Sequence, residues 1–128
     1  MRVIIGVAEV GLTYAKVRAS NLMKPEVKRE LELLVDTGSI LTWMSRESLE
    51  ALDIKPRGFR QFKTIEGKLI ERETGVVVLE YEGLEAVSEV VFAEEGDGSV
   101  MGVTTLESLG FRVNPLTGKL EYIGLLAV

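Results

Sequence analysis

The sequence predicts a mainly β domain, a small barrel or closed sandwich, carrying two short helices. Three observations lead there. Segments in which β-branched and aromatic residues alternate with polar ones recur along most of the chain. Apolar residues at helical spacing occur in only two short stretches. The 128 residues suit one domain around one core, and no linker, low-complexity tract or tandem repeat divides them.

The elements follow in order. Val3 to Val10 and Leu12 to Arg18 read as a hairpin around Gly11, and Asn21 to Pro25 as a loop. Val27 to Val35 is a strand that grows more apolar towards Asp36, as a strand entering a core does. Ile40 to Met44 is a further short strand. Ser45 then suits an N-cap with Glu47 in the first turn, and Leu49 and Leu52 share one face, so a helix is expected over Arg46 to Leu52. Phe59 to Ile65 and Lys68 to Thr74 flank Glu66-Gly67 as a hairpin with glycine at its tip. Its many charges, Arg60, Lys63, Lys68, Glu71, Arg72 and Glu73, suit a ribbon projecting from the body. Val76 to Tyr81 and Leu84 to Ala93 form a second pair around Glu82-Gly83. Ser99 to Gly102 is a short apolar strand, and Thr104 or Thr105 is expected to cap a second helix that ends at Gly110. Phe111 to Asn114 is a strand, Asn114 to Gly118 a turn, and Leu120 to Val128 a very apolar final strand.

Composition narrows the chemistry. Hydrophobic residues make up 46% and charged residues 27%, the balance of a soluble globule. No apolar run reaches the ~20 residues of a membrane span, and the first residues lack a signal-peptide pattern. A cytoplasmic protein without a membrane partner is expected. The net charge of −5 and the lack of a basic-aromatic patch argue against nucleic acid as a partner. The chain has no His and no Cys, which excludes Ser-His-Asp and Cys-His machinery, His- or Cys-based zinc sites and disulfides. No metal or organic cofactor is expected. Any catalysis must come mostly from Asp, Glu, Lys, Tyr, Ser or Thr.

Within those limits Asp36-Thr37-Gly38-Ser39 stands out. It follows the apolar run Leu31 to Val35 and so places a carboxylate on a tight turn at the edge of a core. Taken alone it is also an ordinary turn composition.

With its surroundings the chain resembles the retropepsin-like, single-domain aspartic proteases. Three elements match in order: Leu34-Val35-Asp36-Thr37-Gly38-Ser39 followed by Ile40 to Ser45 and a helix; the hairpin around Ile65-Glu66-Gly67-Lys68, where the family carries its flap; and Val100-Met101-Gly102 followed by a helix through Leu106 to Gly110. The resemblance implies an acid-protease closed barrel, active as a homodimer. It implies Asp36 as the catalytic residue and Thr37, Gly38 and Ser39 as support for its loop. Thr64, Ile65, Glu66, Gly67 and Lys68 would form a flap over the substrate, and Val100, Met101 and Gly102 a strand packed beside the aspartate loop.

Two close carboxylates cannot both ionise, so they share a proton: one activates water and the other donates to the scissile carbonyl. Gly38 lets backbone approach the carboxylates. Thr37, in the family, ties two active-site loops together. A Ser39 hydroxyl donating to an ionised carboxylate would shift activity towards acid. Neither Asp53 nor Asp97 lies in a second D-T-G, so a symmetric dimer is needed to bring two copies of Asp36 together, with Leu120 to Val128 as part of the interface or as the monomer's own last strand. Asp53, Asn114 and the Asp97 turn read as structural, and Trp43 as core or interface packing. The expected function is an aspartic endopeptidase acting on peptides or unfolded protein. The alternative is a catalytically silent peptide-binding or assembly module on the same fold.

Overall fold

The structure, a computed structural model, describes residues 12–127. The expected strand Val3 to Val10 lies outside them. Among the described residues there are nine strands and two short helices, so the molecule is mainly β as the patterning predicts.

The strands β1 (Tyr14–Ser20) and β2 (Lys28–Val35) pair antiparallel from Tyr14 opposite Leu34 to Ser20 opposite Lys28. Strict alternation puts Ala15, Val17 and Ala19 into the core and Tyr14, Lys16 and Arg18 outside. After β2 come β3 (Thr42–Ser45) and α1 (Arg46–Ala51). The Ser45 hydroxyl accepts from the Ser48 N–H at 3.1 Å, and Leu49 and Leu52 are fully buried. Asp53 follows with φ 59, a left-handed position usually taken by glycine. Its role is structural: ion pairs with Lys24 and then Lys55 hold its carboxyl down at about 2.

β4 (Gly58–Lys63) and β5 (Leu69–Tyr81) form the charged hairpin, and β6 (Leu84–Ala93) pairs with β5 through the two-residue turn Glu82-Gly83. Both turn residues have positive φ, as the tight hairpin turn requires. One expectation fails here. Lys68 to Thr74 and Val76 to Tyr81 are not separate strands but one strand of 13 residues running through Gly75. Gly75 does not break the strand; it makes room, because a Cβ there would lie 3.1 Å from both the Lys55 carbonyl and the Phe92 ring.

β7 (Val100–Met101) leads into α2 (Val103–Ser108), and β8 (Phe111–Val113) pairs with β9 (Leu120–Tyr122). Two further expectations are corrected. Neither Thr104 nor Thr105 caps α2: Gly102 is the N-cap and makes no side-chain cap bond. The N–H groups of Val103 and Thr104, which have no acceptor within the helix, donate instead to the Ser39 and Ile40 carbonyls, at 2.8 and 3.1 Å. The final strand stops at Tyr122, and residues 123–127 form no strand, although Ile123 and Gly124 donate to the Gly110 carbonyl. The Asn114 turn is structural, its side-chain oxygen accepting from the Leu116 and Thr117 N–H groups.

The larger sheet runs β1-β2-β7-β3-β6-β5-β4, and β1 also pairs with β5 through Arg18 to Ser20. The pairings therefore make a circuit around a core of Leu33, Met44, Val77, Leu79, Val90, Phe92 and Met101, with Leu49 and Leu106 of the helices packed in. No described helix is long and apolar enough to cross a membrane.

Candidate functional site

The turn after β2 carries the aspartate. The parallel pairing of β2 with β7 sets Leu34 opposite Val100 and Val35 opposite Met101. That register lets the Asp36 N–H donate to the Met101 carbonyl at 2.9 Å, just past the last strand residue. The chain then turns back: the Ser39 N–H donates to the Asp36 carbonyl at 3.0 Å. The Asp36 residue is only 6% exposed, and its carboxylate accepts the Gly38 N–H at 3.0 Å. A Cβ on Gly38 would sit 3.3 Å from that same oxygen, so glycine leaves the close approach unobstructed. Thr37 is exposed at the crest of the turn.

The segment after β7 locks this turn from behind. Gly102 has no room for a side chain: a Cβ would meet the Leu41 carbonyl oxygen at 2.3 Å. Its N–H donates to the Thr42 hydroxyl at 3.0 Å. Thr42 and Thr105 share a hydrogen bond of 2.7 Å, and the Thr105 hydroxyl lies 3.1 Å from Ser88. This buried hydroxyl chain joins β3, α2 and β6 and is reached by the Gly102 N–H, one residue past the Met101 carbonyl that holds Asp36. Sequence reading missed it, because scattered Ser and Thr give no local signal of convergence.

In front of the turn lies a groove of about 710 Å³. Asp36, Gly38 and Ser39 form part of its floor, with Trp43 and Val100 beside them. Its opposite wall is the β4–β5 hairpin, including Phe62, Thr64 and Ile65. The hairpin tip is the expected one: Thr64 and Lys68 pair across it, and Gly67 has φ 87. Ile65 is 94% exposed at the tip. Thus the structure brings Asp36, Gly38, Ser39, Thr64, Ile65 and Val100 to one groove. Glu66, Gly67 and Lys68 complete the hairpin tip outside its lining, and Met101 and Gly102 buttress it from below.

Two side chains depart from expectation. Trp43 lines the groove rather than the core, half-buried, with its ring 4.9 Å from Phe62. Alternation in Thr42-Trp43-Met44 carries the signal, since Thr42 and Met44 are both fully buried on the other face. The Ser39 hydroxyl donates to the Leu41 carbonyl at 2.8 Å. Its single proton is committed there, so the expected hydroxyl donation to a carboxylate is not how this residue works.

Arginines tie the hairpin to the neighbouring turn. Arg72 of β5 makes two hydrogen bonds to Asp97, at 2.7 and 3.1 Å, and Asp97 also accepts the Glu94 N–H at 2.8 Å. Arg46 bridges Glu73 of β5 and Glu94 of the turn, and its guanidinium lies over the Phe92 ring. Asp97 is therefore a structural turn residue that also borders the groove. Burial pushes its carboxyl up, but the bonds from Arg72 and the Glu94 N–H outweigh this and hold it below the usual range.

A lowered folded value means the pair stabilises the fold above about pH 4 and loses that contribution as pH falls through the folded value. Asp97→Asn should cost about 1–2 kcal/mol near neutrality, read as a lower thermal midpoint. The gap to wild type should close in acid. An equal gap at about pH 6 and about pH 3 would contradict the assignment.

Among the described residues no group of three or more carboxylates is gathered to hold a metal ion. Neither a family model nor a curated protein sequence matches the chain.

Proposed function

We propose that the chain is one half of an aspartic endopeptidase of the retropepsin-like type, with Asp36 supplied by each of two identical protomers. The observation that carries this reading is the buried Asp36 carboxylate, held by the Gly38 N–H on the floor of a groove that a glycine-tipped hairpin walls. The strand circuit in which β1 pairs with both β2 and β5 suits the closed barrel of that family. Exposed Thr37 suits a loop that meets its symmetry copy. Leu125 and Leu126, exposed after β9, suit burial against the second protomer.

The mechanism requires that, of the two Asp36 carboxylates in the dimer, one be ionised and the other protonated. The ionised carboxylate takes a proton from water as the water oxygen bonds to the scissile carbonyl carbon. The protonated one donates to the carbonyl oxygen. Collapse of the resulting diol breaks the C–N bond, the nitrogen leaves with a proton, and a carboxylic acid and an amine result. The substrate lies extended in the groove and pairs its backbone with the hairpin.

The test is cleavage of a diverse peptide mixture, read by mass spectrometry over about pH 3 to 7, the window in which carboxylates change charge. Sedimentation on the same sample gives its oligomeric state. Cuts made by a dimer are expected. Cuts made by a species that sediments as a monomer would refute the two-protomer site. A folded dimer that binds peptides without cutting them would instead identify a binding module.

A further inference from the structure

We propose that Trp43 decides which substrates the groove accepts, restricting the position it faces beside the scissile bond to small side chains. This rests on the peptidase reading given above.

The β3 backbone fixes the indole. Trp43 pairs with Val91 on one side and Val100 on the other, while Thr42 and Met44 anchor the opposite face in the core. The indole is thereby directed into the groove that holds Asp36. Phe62 then fixes it from the hairpin: the two rings lie 4.9 Å apart and tilted by 56°. Phe62 itself stands opposite Ile70 across the hairpin. The indole of β3 thus meets the hairpin at Phe62, and the two rings restrict each other.

A bulky fixed ring on the groove wall occupies volume that a substrate side chain would otherwise fill. On this reading Ala, Ser or Val is accommodated beside the ring, whereas Leu, Phe or Tyr competes with it for the same space. Rejection by a rigid wall is a strong form of discrimination, because close-packed rings give way only at a cost in strain. A symmetric dimer supplies two such walls. The preference for small residues therefore falls at two positions placed symmetrically about the cut.

Wild type, Trp43→Val and Trp43→Phe are each given the same diverse peptide mixture, and cut sites are read by mass spectrometry. Trp43→Val should gain Leu, Phe or Tyr at the two symmetric positions by about tenfold or more relative to Ala. Trp43→Phe should show a smaller shift in the same direction, and it carries the test if the Val variant does not fold. An unchanged preference, with cutting still lost in Asp36→Asn, would leave the peptidase intact and overturn the role of Trp43.

If no variant cuts, the peptidase reading fails, and calorimetric binding of an extended peptide set with Ala or Phe at each position in turn decides the inference. Tighter binding of Ala peptides by wild type and of Phe peptides by Trp43→Val upholds Trp43 as the gate. Equal binding, or none, overturns it.

Discussion

Asp36→Asn is expected to abolish peptide cleavage while leaving the fold in place. The amide keeps the shape of the side chain and can still accept the Gly38 N–H through its oxygen. It cannot take a proton from water. In a homodimer both members of the pair change at once, so base and acid are lost together. General acid–base catalysis contributes about 10²–10⁴-fold per group, and a loss of at least that size is expected in kcat/KM. The denaturation midpoint should move little. Activity that survives in a homogeneous Asp36→Asn preparation would assign the chemistry to another residue.

Gly102→Ala should produce the largest loss of stability. Its Cβ would be forced to 2.3 Å from the Leu41 carbonyl oxygen and 2.8 Å from the Ile40 carbonyl oxygen. Both obstacles are backbone, so no rotamer change relieves them. The cost should reach about 3 kcal/mol or more, seen as a lower midpoint in urea. The damage also reaches the site. Ile40 and Leu41 continue the Asp36 turn, and the Ile40 carbonyl accepts the Thr104 N–H that opens α2. Activity should fall even at temperatures where the variant stays folded. Gly58→Ala is the control: a Cβ there meets nothing within 4 Å, and its φ is not left-handed. Equal stability of Gly102→Ala and Gly58→Ala would show that the packing of β7 against the loop is misread.

What could be read from the sequence was mostly local. The Ser45 cap, the Glu82-Gly83 turn and the Gly67 hairpin tip each depend on a few adjacent residues, and each appears where expected. Asp36 stood out because an apolar strand leads into it. The misread features share a nonlocal cause. Thr104 and Thr105 look like caps, yet α2 is capped by the carbonyls of Ser39 and Ile40, which arrive from a distant loop. Gly75 looks like a breaker, yet it is small because the 54–55 segment and Phe92 press against it. Leu120 to Val128 looks like one strand because it is apolar, but among the described residues strand pairing, with β8, is limited to Leu120–Tyr122. Trp43 meets Phe62 across the groove through pairings that no short window contains.

Stability and site share one set of contacts. The Thr42–Thr105–Ser88 hydroxyl chain satisfies buried polar groups of β3, α2 and β6, where an unpaired donor would cost about 1–3 kcal/mol. The Arg72–Asp97 and Arg46 pairs connect the hairpin and the turn that border the same groove. The floor is held by backbone and buried hydroxyls, whereas the hairpin is held by ion pairs at its base and by the Trp43–Phe62 ring contact. Such a division ties down the aspartate turn and leaves Ile65 at the tip almost wholly exposed; in the proposed peptidase that tip is the part expected to move over a substrate.

The most direct test of the shared site is a mixing experiment. Wild-type protein at fixed concentration is equilibrated with a rising excess of Asp36→Asn, and peptide cleavage is followed. If two copies of Asp36 form one site, exchange places each wild-type chain opposite a partner that carries the substitution. Activity should then fall towards zero as the variant exceeds wild type by about tenfold, the excess at which mass action leaves few wild-type pairs. Activity that stays constant while mixed dimers demonstrably form would mean that each chain works alone, and would contradict the account.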